Sequence, residues 1–172
     1  CKARNDDGSL QLTCAMYPGL FNLLMLATGV SRLLRKHWFF GRANYFWWDH
    51  AEIREVDFVA GCYMLVRSAA IEQVGIMDSN FFMYAEEADW CLRFKREGWR
   101  ILYYPFAEFY HLIGESGKSS IKLLRLERRK SLLYFFSKNY GPMKALGANY
   151  LFAFNDIVRL LPWLFKGAVD CF

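Results

Sequence analysis

VDFVAGCYMLVR, Val56 to Arg67, is the stretch on which the fold turns. It is filled with β-formers, and its charges, Asp57 and Arg67, stand near its ends, as expected of a strand buried on both faces. Gly61 lies inside it, and an interior glycine marks a bulge or a close approach by backbone or ligand. Helix signals follow at once: Ser68 can N-cap a short helix that Gly75 ends. After a turn at Met77, Asp78 and Ser79, the span Ala85 to Glu97 carries Ala88, Cys91, Leu92 and Lys95 at three-to-four spacing. It stops at Gly98, which predicts a second helix. Trp99 to Tyr104, closed by Pro105, reads as a further strand.

Outward from this centre, Asn5 to Ser9 is a turn, because Asn and Asp bond their own backbone and Gly supplies positive φ. The apolar run from Tyr17 to Leu34 is broken by Asn22, Thr28 and Ser31. It is too short for a membrane span of about 20 apolar residues and predicts a buried or interface-lying helix. Lys36 to Glu55 is an aromatic loop holding Trp38, Phe39, Phe40, Tyr45, Phe46, Trp47 and Trp48; packing against the preceding helix is its expected role, with a surface covering a site as the alternative. Lys118 to Lys138 predicts a basic amphipathic helix. The tail from Met143 to Phe165 is aromatic and apolar, interrupted by Asn155, Asp156 and Arg159, with a kink expected at Pro162.

A chain of 172 residues fits one domain, or one domain with a tail. Hydrophobic residues at 55% and charged residues at 23% exclude a disordered segment. The aromatic share of 19% suggests rings facing a ligand or a membrane as well as a bulky core. A formal charge of +5 is too small to point to nucleic acid. The cysteines are five, far apart and without a CxxC pair, which argues against a disulfide framework and for a reducing, cytosolic setting.

Two groups could carry chemistry. Glu86, Glu87 and Asp89 cluster where a helix begins, and acids at that end are commonly there only to meet the helix dipole. Asp89 and Arg93, four apart, are expected to pair structurally. His111 precedes the small polar loop Gly114 to Gly117 and the cations Lys118 and Lys122, a loop-to-helix passage that could hold phosphate through backbone N–H groups and positive charge.

The ordered series Asp57 to Arg67, Val74 to Asp78, Phe81 to Arg93, Gly98-Trp99, then His111 with Ser116, resembles the second half of a family 2 glycosyltransferase. The nearest flavour is the rhamnosyltransferase-like group that builds bacterial surface polysaccharides. The likeness runs from about Asp7 to about Gly141. It implies an α/β fold: a partial GT-A, Rossmann-like domain over residues 1–117, lacking its N-terminal nucleotide-binding half, followed by a helical region over 118–172 that could lie on a membrane. It also implies an inverting transferase that takes a nucleotide-sugar donor, a glycan or lipid-linked acceptor and a divalent metal, Mg or Mn. The cytosolic face of the membrane is the expected location. Glu87 falls on the position of the base that deprotonates the acceptor hydroxyl, with Glu86 beside it able to raise its pKa. His111 falls on a metal-site histidine, and the cation would neutralise the leaving diphosphate. Gly61 falls on a glycine facing the sugar and acceptor pocket, Asp78 on the turn beside it, and Trp90 on a leucine-type packing position of that region. Lys118 and Lys122 could contact diphosphate or simply form a solvated basic face.

The chain departs from that family in two ways. Its Glu-Asp pair is Glu-Glu here, which moves the carboxylate by one methylene, about 1.5 Å. The family's first strand and Asp-x-Asp metal motif have no counterpart in these residues, because Asp6-Asp7 lies in the loop after that motif. The chain alone is therefore not expected to bind donor or turn over. A non-catalytic membrane or interaction module is the alternative, resting on the aromatic loop, basic helix and apolar tail. A metal-dependent hydrolase would want more His and Asp.

Overall fold

The computed structural model describes residues 1–112 and 121–169, with side chains over 1–112 and 123–160. Among these, short strands and longer helices form a mixed α/β body. β1 (Lys2–Arg4) turns through Asn5–Ser9 into β2 (Leu10–Gln11), pairing antiparallel with Ala3 opposite Gln11. Asp7 makes the turn, accepting from the Ser9 N–H at 2.9 Å. β7 (Glu108–Tyr110) joins the other edge of β1 in parallel. β3 (Cys14–Ala15) pairs with β5 (Phe58–Val59), and β4 (Arg54–Glu55) pairs with β6 (Leu102–Tyr103), both antiparallel. Two helices replace the single one expected over Tyr17–Leu34: α1 (Leu20–Ala27) and α2 (Val30–Leu33). Gly29 separates them at φ 77°, a left-handed residue that a continuous helix cannot hold.

The doubly buried strand expected over Val56–Arg67 is not formed. Only Phe58 and Val59 pair within it, Gly61 sits in an exposed turn, and Leu65 is 92% exposed. The β-forming residues from Met64 to Val66 have no neighbouring strand among the described residues, so their backbone stays outside any ladder. Part of the aromatic loop packs on the preceding helix as expected, with the Phe39 ring 5.1 Å from Phe21 of α1, while Trp38 is 66% exposed. Trp48 goes further into the core with Cys14, Val56 and Tyr103.

α3 (Ser68–Val74) is capped one residue earlier than expected: Arg67 is the N-cap and Ser68 the first helical residue. Gly75 ends it as expected, at φ 83° and ψ −176°, a region essentially closed to residues with a Cβ. An added Cβ there meets nothing within 4 Å, so Gly75→Ala isolates backbone strain. It should cost about 1–3 kcal/mol in urea unfolding of the chain, and an unchanged midpoint would reject that account. α4 (Glu86–Arg96) closes with the Gly98 N–H on Lys95 and the Trp99 N–H on Phe94, the paired bonds of a Schellman ending. Its side chains serve the carbonyls left by the end of α3. Arg93 donates to Val74 and Ile76, and the Trp90 indole donates to Gly75.

α5 (Ile121–Tyr140) and α6 (Pro142–Val169) pack against each other, and α6 also lies on α1. Phe135, fully buried, joins α5 to Phe81, Ala85 and Ala88 at the start of α4. α6 runs through Pro162, so that residue removes one N–H donor without ending the helix.

Candidate active site

The site grows from the entrance to α4. Tyr84 and Ala85 both hold left-handed backbone, φ 71° and 67°, immediately before Glu86. Neither is Gly or Asn, so the pair is costly and must be held by its surroundings. α5 does the holding: the Ser131 hydroxyl donates to the Met83 carbonyl at 2.7 Å, and Phe135 packs on Ala85. The turn aims Glu87 into a cavity of about 530 Å³ lined also by Tyr17, Asn22, Ala60, Tyr84 and Arg128. That is the size of a small-ligand pocket.

Glu87 has a buried oxygen with no hydrogen-bond partner among the described residues, as do its neighbour Glu86 and the Tyr17 hydroxyl. Buried polar groups are normally satisfied, so orphaned oxygens at a cavity mark where a polar ligand would bind. Burial and then the charge of Glu86 push the Glu87 carboxyl up to about 7, with Arg128 opposing. A helix N-terminus by itself lowers a carboxyl's pKa, so desolvation overrides the dipole here. The first-turn role that acids commonly play does not account for this residue. Tyr17 is a site residue that the sequence does not single out. Its N–H donates to Asp57 at 3.0 Å, and burial pushes its hydroxyl pKa far upward.

The structure does not gather every candidate here. Glu86, Gly61, Asp78, Trp90 and His111 are all outside the lining of the Glu87 cavity. Gly61 has nothing within 4 Å of a built Cβ, although its neighbour Ala60 lines the cavity. Asp78 accepts from Lys138 at 2.7 Å and from the Asn80 N–H at 2.9 Å, which hold its carboxyl well below the usual range, and with Tyr134 at 3.0 Å the Lys138 contact ties its turn to α5. Trp90 packs with Phe94 and Ala70. His111 follows β7, where its Nδ1 meets Gln11 Oε1 at 2.7 Å. No group of three His, Cys, Asp or Glu side chains suited to a metal occurs among the described residues, so these residues do not by themselves compose a metal site. Lys118 and Ser116 lie outside the described residues.

Comparison with known proteins bears on what such a pocket could serve. The chain is 30% identical over 93 residues to an N-acetylglucosaminyl-diphospho-decaprenol L-rhamnosyltransferase of Mycobacterium tuberculosis, covering 54% of this chain and 30% of that protein. Rhamnosyltransferase WbbL of Escherichia coli is 33% identical over 84 residues, 48% of this chain and 32% of that protein. The low-salt glycan biosynthesis hexosyltransferase Agl10 of Haloferax volcanii is 38% identical over 45 residues, 26% of this chain and 15% of its own length. Its curated relatives are sugar transferases. The chain spans about a third of the length of the first two. No family model and no solved structure matches.

Proposed function

We propose that this chain is the acceptor-side part of an inverting GT-A glycosyltransferase of cell-surface polysaccharide synthesis, and that Glu87 is its base. The observation that carries the reading is a partly buried carboxyl, held near pH 7, with one buried oxygen lacking a partner, at a cavity of about 530 Å³. The relatives' rhamnosyl and hexosyl transfer supports the reaction class. In this scheme Glu87 takes the proton from an acceptor hydroxyl as its oxygen attacks the anomeric carbon. The bond from that carbon to the donor's phosphate oxygen breaks, and the electron pair leaves with the nucleoside diphosphate. A base poised near the working pH suits the step, being ionised often enough to accept and basic enough to hold the proton. Tyr17 would bind or orient the acceptor beside it.

The donor-binding half and a divalent cation belong to the same proposal. Gln11 fixes Nδ1 of His111, leaving Nε2 as the ring atom able to take a ligand position. The test is Glu87→Gln in the protein carrying its donor-binding half, where transfer should be lost with the fold intact.

Contact with the cytosolic membrane face also belongs to this reading. Met143, Leu146, Tyr150, Phe154 and Ile157 are exposed along α6 at helical spacing. Their stripe is about 21 Å long at 1.5 Å per residue. No helix among the described residues is long and apolar enough to cross a membrane, so the contact would be in-plane.

A further inference from the structure

Helix α1 buries its polar residue and exposes apolar ones. Asn22 is 8% exposed, whereas Leu24 and Leu26 of the same helix are 37% and 38% exposed. Asparagine is a poor helix former, and burying its amide costs free energy unless both ends find partners. A leucine at this position would cost less on both counts. What sets the position apart is that Asn22 lines the Glu87 cavity.

Half of the amide is accounted for. Arg42 Nε donates to Asn22 Oδ1 at 3.2 Å. A guanidinium can only donate, so this bond settles which end of the amide is oxygen. Arg42 is itself held, with its guanidinium carbon 4.5 Å from the centre of the Phe21 ring and 5.0 Å from that of Phe39, within reach of cation–π attraction. The other half is Nδ2, whose two N–H groups have no hydrogen-bond partner among the described residues. A donor-only group in a fixed orientation therefore stands at the wall of the cavity into which Glu87 presents an acceptor.

We propose that Asn22 is a specificity residue for the acceptor sugar, its Nδ2 donating to a sugar oxygen while Glu87 takes the reacting hydroxyl, and that Arg42 is its positioning residue. The inference rests on the reading of this cavity as the acceptor's. A sugar ring carries several similar hydroxyls, and a single carboxylate cannot tell one from the next. A second group that can only donate selects the arrangement in which an oxygen lies against it. A sugar bound in any other way covers Nδ2 without pairing it, and an unpaired buried donor weakens binding.

The test uses this chain, nitrogen-labelled and titrated with the methyl glycosides of glucose, rhamnose and N-acetylglucosamine, and is read by NMR. The Asn22 side-chain NH2 signals, assigned by their loss in Asn22→Leu, should move as the sugar saturates, together with the backbone amide of Ala60 in the same lining. Asn22→Leu should bind the preferred glycoside about fivefold or more weakly and bring the three affinities to within about twofold of one another, as loss of one hydrogen bond implies. Arg42→Met keeps a straight chain against the two rings and leaves Asn22 in place, but frees its amide to turn, so affinity should fall about threefold. Outside the cavity both variants should keep the wild-type spectrum. Three results would overturn the proposal: no binding of any of the glycosides by the wild type, an NH2 signal that stays still while Ala60 moves, or an Asn22→Leu affinity within about twofold of wild type. A loss in Asn22→Leu with none in Arg42→Met would remove Arg42 from it. The wild-type NH2 signal decides the matter even if Asn22→Leu does not fold. None of these readings needs turnover, and Glu87→Gln tests the base without touching Asn22, so either proposal can fail alone.

Discussion

Glu87→Gln should make this chain more stable at pH 8 and leave its stability nearly unchanged at pH 4. The Glu87 carboxyl is held near 7 in the fold, against an ordinary value of 4.5. The folded state therefore holds this proton more tightly than the unfolded chain does. Below 4.5 the group is protonated in both states and costs nothing. As pH rises from 4.5 to 7, the unfolded chain ionises first and stability falls. Above 7 the full penalty remains, about 3 kcal/mol if the whole displacement is counted. Glutamine keeps the shape and never ionises, so a gain of about 1–3 kcal/mol at pH 8 is expected. Urea unfolding at the two pH values reads it directly. Parallel curves for mutant and wild type at both would reject a desolvated carboxylate. In the protein carrying its donor-binding half, the same substitution should lower transfer by about two to four orders of magnitude, as loss of a general base does. Wild-type turnover in the mutant would reject the base assignment. The wild-type rate should rise with pH and level off above about 7, following ionisation of this carboxyl. One substitution thus trades function against stability in opposite directions, a pattern that an ordinary first-turn acid would not give.

Local signals carried the helices well. Gly75 and Gly98 end α3 and α4 as the sequence implied, because glycine reaches backbone conformations that few other residues hold cheaply. The strand over Val56–Arg67 was misjudged because strand formation depends on a partner. Propensity speaks of the segment alone, whereas here only Phe58 and Val59 find a neighbour. Glu86 and Glu87 stood out in the sequence, but the reason they matter did not. The left-handed pair Tyr84-Ala85 carries no Gly or Asn to announce it, and the restraint on it comes from Ser131, whose hydroxyl bonds Met83 across 48 positions of sequence. Tyr17 was invisible for the same reason: an orphaned hydroxyl is a property of packing. The arginines were legible as charge, and only the meeting of α2, α5 and α6 brings Arg32, Arg125 and Arg159 to the lining of one cleft.

Asp89→Ala should be the most damaging single change to the fold, costing about 3–5 kcal/mol. Asp89 is fully buried, yet it accepts from Arg93 Nε at 3.0 Å, Lys138 Nζ at 2.8 Å and Asn139 Nδ2 at 2.9 Å. The i,i+4 pair with Arg93 foreseen from spacing is therefore one side of a larger knot. Arg93 also satisfies the carbonyls of Val74 and Ile76, and Lys138 also reaches Asp78. Through Asp89 the end of α3, the whole of α4 and the end of α5 share one charge network. Alanine would leave Lys138 and Arg93 without that carboxylate and open a void at a position that excludes water. A buried ion loses its compensation at a cost well above that of a surface pair, which is commonly below 1 kcal/mol. Asp89→Asn keeps the volume and an acceptor oxygen, so it should lose less, and the gap between the two variants in urea measures how much is charge and how much is shape. Because α5 also holds the turn before Glu86, loosening this network should let that turn relax. The pH dependence of stability due to Glu87 should then shrink in Asp89→Asn even where the chain stays folded. An undiminished pH dependence would show that Ser131 and Phe135 hold the turn without help from the ion network.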